Sequence, residues 1–185
     1  TINASKSDLP TSSKTPIALL VREILQYAST IDEAIAIAKS KSTFVSETIM
    51  VSSKKDGRAV LIEKSPSKTC VLDTNQDVLV CANHYQSDAF IHDEINVNNI
   101  KESDSRYRFS RMNQLLQYNH RYGVEDAAKI LRDQKDFNGG NLGMGNPRAI
   151  NQLIAHHSVI IQPALTRFYI STNDSPFDFF PLLCY

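Results

Sequence analysis

The sequence is short of the features that would mark several large classes of protein. Lys and Arg total 20, and Asp and Glu total 20. With no charge excess, nothing electrostatic argues for nucleic acid or an anionic membrane as partner. No apolar run approaches the roughly 20 residues of a membrane-spanning helix. Cysteines number 3, at Cys70, Cys81 and Cys184. They form no C-x-x-C pair, which excludes the common zinc and redox motifs, and they are too few and too irregular for a disulfide-stapled mini-domain. The segment Phe137 to Pro147 holds four of the 6 glycines but lacks the Gly-Lys-Ser/Thr ending of a phosphate loop. It reads as an irregular loop whose glycines accept positive φ. The opening Thr1-Ile-Asn-Ala-Ser-Lys6 has no apolar core segment of the signal-peptide kind.

What is present is ordinary in bulk. A hydrophobic content of 42% and a charged content of 22% over 185 residues suit a globular chain with a proper core, and residues 1–185 are expected to form a single domain. Thr1-Ile-Asn-Ala4 reads as the tail of a strand, and residues 5–14 as a loop. Thr15 and Pro16 supply the N-cap and first position of a helix carrying Ile17, Leu20, Val21, Ile24, Leu25 and Ala28 at helical spacing. Thr30 and Glu33 match a capping box for a second helix, with Ala34, Ile35 and Ala38 inward. The period then changes from helical to alternating. Strands are expected at 48–51, 59–62, 69–72 and 77–82, the first two joined by the Lys54-Lys-Asp-Gly57 turn, as an antiparallel meander. Residues 84–102 read as surface loop, 103–117 as a helix with Ser103 or Ser105 as cap, and 124–131 as a shorter helix. Two strands, 155–162 and 166–171, close the pattern around Pro163-Ala164, and the tail from Ser175 to Cys184 is apolar without periodicity. Blocks of strands and blocks of helices predict an α+β fold, antiparallel sheet covered by helices.

Among candidate functional residues, Asn83 stands where the apolar run Val78-Leu-Val-Cys-Ala82 stops. An amide there can hold a carbonyl or a developing oxyanion. Cys81 and Asn83 alternate onto one face and His84 onto the other, which argues against a Cys81/His84 catalytic pair. His156 and His157 read as core-rim histidines, without a third ligand at metal spacing. Arg106, Arg108 and Arg111 could hold a carboxylate or phosphate, or simply form a solvated helix face.

Several segments resemble one family. Thr1-Ile-Asn3 is similar to the strand end that follows the nucleophile region in N-terminal-nucleophile hydrolases of the choloylglycine hydrolase and penicillin acyltransferase (peptidase C45) type. Thr48 to Pro66 resembles that family's a-D-x-x-G-x-a-x-v-E-x-s-P hairpin. Val78 to His84 resembles its T-N-H strand end, with Ala82 where threonine is usual, and Ser105-Arg106-Tyr107 resembles the S-R-F/Y that opens the next helix. The hairpin from His157 to Ser171 is similar to its last strands. The resemblance implies an αββα sandwich and hydrolysis or acyl transfer at an amide C–N bond. It further implies a cysteine nucleophile exposed as first residue by self-cleavage, with its own α-amino group, pKa about 8, as base. By the same resemblance, Asn3 and Asn83 shape the oxyanion hole and orient the amine, and Arg106 is the active-site arginine, with Arg108 as the register alternative. The implied partners are a small-molecule amide or acyl donor and an upstream segment or subunit carrying the nucleophile. No cofactor and no metal are implied. The first residue here is Thr1, and no cysteine precedes Cys70. The chain is therefore expected to be the downstream portion of such a domain and inert by itself. Two alternatives stay open: a relative that kept the fold as a binding or structural module, and an unrelated α+β hydrolase using Cys81/His84 or the histidine pair. Compartment and oligomeric state are also open.

Overall fold

The computed structural model describes residues 1–9, 14–74, 76–117, 121–172 and 180–183. The chain forms two compact units, Thr1–Arg106 and Tyr107–Tyr185. Each has its own antiparallel sheet, so the fold class is α+β, as the block pattern predicts.

The first unit is built on a four-stranded sheet in the order β1 (Ile2–Ala4), β2 (Glu47–Ser53), β3 (Arg58–Lys64), β4 (Thr69–Leu72). The β2–β3 hairpin turns at Lys54–Gly57, where Gly57 takes φ +66°, a left-handed conformation open to glycine at little cost. Helices α1 (Ile17–Tyr27) and α2 (Ile31–Ser40) pack side by side, and α2 lies across β2, β3 and β4. Leu20, Ile24, Ile31, Ala34 and Ala38 from the helices meet Ile49, Val60 and Ile62 from the sheet in one buried cluster. The capping box forms as expected: the Glu33 backbone N–H donates to Thr30 Oγ1 at 3.2 Å, and the Thr30 N–H donates to Glu33 Oε2 at 3.2 Å.

Four expectations for this unit change. Thr15 does not cap α1. Its backbone N–H donates to the Ser42 carbonyl at 3.0 Å, and Pro16 itself precedes the first turn. Leu25, expected inward, is 77% exposed. The fourth strand of the sheet is β1 rather than residues 77–82. Those residues join no ladder, and the Val80 carbonyl accepts the Gln86 side chain at 2.9 Å instead. Residues 84–102 also hold a helix, α3 (Glu94–Glu102), capped by Asp93, whose carboxylate accepts the Asn96 N–H at 2.9 Å. Its buried face is made of Asn96 and Asn99, so no apolar stripe announced it.

Helix α4 (Ser105–Leu115) spans the boundary between the units. The second unit carries α5 (Val124–Leu131) and the strands β5 (His157–Gln162), β6 (Arg167–Thr172) and β7 (Phe180–Leu183), in that sheet order. β5 and β6 turn through a short 3-10 segment, Pro163–Leu165, with Thr166 at φ 50°. β7 falls in the tail that shows no periodicity, and residues 173–179 and Cys184 lie outside the described residues. Within the glycine-rich loop, Gly139 and Gly143 take φ +89° and +73°, as its composition predicts. Among the described residues no helix is long and apolar enough to cross a membrane.

Candidate active site

Sheet register places four polar side chains in one row. Asn3 pairs with Thr48, Thr48 with Glu63, and Glu63 with Cys70. The neighbouring row, Ile49 and Ile62, faces the helices. Side chains alternate along a strand, so the polar row faces the opposite side of the sheet from α1 and α2. Segment 80–87 reaches this face. Asn3 Nδ2 donates to Cys81 Sγ at 3.0 Å, and Asn83 Nδ2 donates to the carbonyl of Ala4 at 3.1 Å. The two asparagines therefore meet at the end of β1, and each amide holds the other's segment.

The backbone around Asn83 is tied down by side chains. Its N–H donates to Ser105 Oγ at 2.7 Å, and its carbonyl accepts Asn99 Nδ2 at 2.8 Å. Ser105, fully buried on the first turn of α4, also lies 2.7 Å from His84 Nδ1. Asn96, likewise fully buried, accepts the Tyr85 N–H at 3.0 Å and donates to the carbonyls of Tyr85 and Phe90 at 3.2 and 3.1 Å. Tyr85 sends its hydroxyl to the Lys64 carbonyl and stacks on Phe90, ring centroids 4.2 Å apart. Glu63 accepts the N–H groups of Gln86 and Ser87 at 2.6 and 3.1 Å, and the Ser87 hydroxyl. Among these, the N–H groups of Asn83, Tyr85, Gln86 and Ser87 and the carbonyls of Asn83, Tyr85 and Phe90 find side-chain partners, as buried backbone requires.

Cys81 and Asn83 do face β1 while His84 faces α4, as the alternation predicts. The Cys81 thiol does not fit the role of nucleophile. Burial, against which the Asn3 hydrogen bond works, and the Glu63 carboxylate push it up to about 11, away from the thiolate that reactivity needs. Thr1 spends its amino group on the Met50 carbonyl at 2.9 Å, inside the β1–β2 pairing. Arg106 is exposed on the first turn of α4, next to the Ser105 that holds Asn83. Its side chain makes no hydrogen bond or ion pair within the described residues. Asn3 and Asn83 are thus brought together, and Arg106 joins them only through the neighbouring Ser105.

The other arginines of α4 are not a solvated face. Arg111 is 7% exposed and forms a two-pronged pair with Asp133, both bonds at 2.8 Å, while Arg108 Nη1 donates to the Pro147 carbonyl at 2.6 Å. The hydrogen bonds it donates to Asp133 hold the Arg111 guanidinium above its ordinary value. His156 and His157 are exposed rather than at a core rim. Among the described residues no three His, Cys, Asp or Glu side chains converge as metal ligands would. An open groove of about 580 Å³, lined by Ile24, Ala34, Val51 and Lys54 among others, lies on the helix side of the sheet, away from the polar row.

Sequence reasoning missed Glu63, Asn96, Asn99 and Ser105 as members of this constellation. Glu63 occupies the acidic position of the v-E-x-s-P pattern, and Ser105 opens the S-R-Y match, so both carried a signal. Asn96 and Asn99 carried none beyond their i, i+3 spacing.

Antiparallel sheets and covering helices define an α+β protein compatible with the N-terminal-nucleophile hydrolase-like class. Within that class, the family model of acyl-coenzyme A:6-aminopenicillanic acid acyl-transferase matches residues 1–142, and the chain belongs to this family. No curated protein matches the chain. The family suggests acyl transfer or amide hydrolysis as the general class of activity, with which an acyl-donor substrate is compatible. The match includes the whole polar row and its clamp, and ends before the β5–β6 hairpin.

Proposed function

We propose that the whole protein breaks or transfers an acyl group at an amide C–N bond, using an N-terminal cysteine on a segment outside these 185 residues, and that residues 1–185 are the downstream portion of that domain. The observation that carries this reading is the meeting of Asn3 and Asn83 where β1 ends, with Asn83 Nδ2 3.1 Å from the Ala4 carbonyl. In this scheme the nucleophile's sulfur attacks the substrate carbonyl while its own α-amino group takes the proton. Charge develops on the carbonyl oxygen, and the neutral amides of Asn83 and Asn3 stabilise it and orient the amine. The amine leaves with the proton, and water or a second amine then takes the acyl group from sulfur. Arg106, exposed at the head of α4, is available to a substrate carboxylate or phosphate. The buried, neutral Cys81 supports a nucleophile elsewhere.

The test begins with the protein expressed from its complete gene. Intact mass and N-terminal sequencing are expected to find a chain beginning at Cys after loss of a leader. In that protein Asn3→Ala and Asn83→Ala should each lower kcat/KM by about 10²- to 10³-fold, the usual cost of an oxyanion donor, with a small change in melting temperature. An unprocessed chain without a cysteine near its start, with both variants altering stability alone, would leave a scaffold that kept the fold for binding.

A further inference from the structure

The polar row contains a group that the proposed chemistry does not use. Glu63 is 0% exposed, in the middle of a sheet whose adjacent residues Leu61 and Ile62 are equally buried. A carboxylate in such a place costs several kcal/mol unless its oxygens are met by donors. Three donors meet them, and all three belong to Gln86 and Ser87. None comes from the strands on either side. The carboxylate is thus spent on a loop rather than on the sheet that carries it.

That loop is the one that bears Asn83. Between Asn83 and Gln86 the chain has two residues, and both are fixed: Tyr85 by Asn96 and by its hydroxyl on the Lys64 carbonyl, His84 by Ser105. On the far side, the Gln86 side chain reaches back to the Val80 carbonyl at 2.9 Å. Glu63 therefore ties a rigid central strand to the C-terminal side of the asparagine, while Ser105 and Asn99 tie the asparagine's own backbone. An oxyanion donor works only when held in place before the reaction, and displacement by about 1 Å can cost about 10²-fold in rate.

We infer that Glu63 is a positioning residue for Asn83: its buried carboxylate, by gripping the Gln86 and Ser87 N–H groups and the Ser87 hydroxyl, sets where the Asn83 amide stands against the reacting carbonyl. The inference rests on the proposed role of Asn83, and a double-mutant cycle separates the two. In Glu63→Gln one acceptor oxygen becomes an NH2 group facing donors, with volume unchanged. Ser87→Ala removes one donor and leaves the carboxylate its two backbone partners, so the fold is retained even where the glutamine variant unfolds.

Both variants are made in the whole, processed protein, alone and combined with Asn83→Ala, and assayed by steady-state kinetics on an amide substrate. The expected result is a kcat lowered about 10- to 100-fold by Glu63→Gln and less by Ser87→Ala, with KM within about twofold. In the Asn83→Ala background the same changes should cost about twofold or less, because the group they position is gone. If the losses multiply instead, or if neither variant lowers kcat while Asn83→Ala does, Glu63 only supports the fold and the inference fails. If Asn83→Ala alone leaves kcat intact, the role of Asn83 fails and the inference with it.

Discussion

A single amide-to-sulfur hydrogen bond shows how chemistry and structure are divided in this protein. Asn3 Nδ2 donates to Cys81 Sγ, a weak acceptor, and the thiol is held neutral chiefly by burial. Its folded value of about 11 lies above the ordinary 9.0, so the folded state keeps the proton longer than the unfolded chain does. The stability this contributes is whole below pH 9.0 and is lost as pH rises through about 11. Melting temperatures of the wild type and of Cys81→Ala, compared at each pH, should accordingly differ least at the alkaline end, with the wild type losing ground over that window. A flat difference would show that the thiol titrates alike in both states. Iodoacetamide should label Cys81 slowly at pH 8 in the folded protein and quickly after unfolding. Equal rates would place the thiol outside its pocket. The sequence pattern put Cys81 and Asn83 on one face correctly. It could not show that Asn3, 78 residues away along the chain, would be the partner.

At the scale of elements, legibility followed the kind of group that each element buries. Helices α1 and α2 and the β2–β3 hairpin bury leucine, isoleucine, valine and alanine at regular spacing, and periodicity found all three. Segment 77–82 has a strand's composition yet joins no ladder, and the loop after it is held by side-chain donors and acceptors. Helix α3 was invisible for the complementary reason: Asn96 and Asn99 turn inward to serve the loop that follows, at Asn83, Tyr85 and Phe90. Asn96→Leu keeps size and raises helix propensity but strands the Tyr85 N–H and the carbonyls of Tyr85 and Phe90. It should cost about 3 kcal/mol or more in urea unfolding. Val78→Thr, at a half-buried place in the expected strand, should cost about 1 kcal/mol or less. If the ranking is reversed, the segment is held by its apolar side chains after all. The same reasoning explains Arg111, whose partner Asp133 lies 22 residues downstream, just beyond α5, and leaves no trace in the local pattern of α4.

For the whole molecule, the division into Thr1–Arg106 and Tyr107–Tyr185 gives the first unit its sheet, its two packed helices and its buried cluster within its own residues. A fragment of residues 1–115, which keeps α4 intact, should therefore fold by itself, with mixed helix and sheet signals in circular dichroism and one cooperative melt. A fragment that remains unfolded would mean that the cluster around Leu20, Ile49 and Ile62 is too small to stand alone. The antiparallel α+β class could be read from the order of strand and helix blocks, because each block buries its own repeating face. The two-unit division could not, since no shift in composition marks the first turn of α4. A ladder is indifferent to the residues hung upon it, whereas a clamp is written residue by residue. The address of Asn83 is stored in Glu63 on β3, Asn96 and Asn99 on α3 and Ser105 on α4, scattered over more than forty positions. Anyone grafting this asparagine loop onto another scaffold would carry the amide across and leave its coordinates behind.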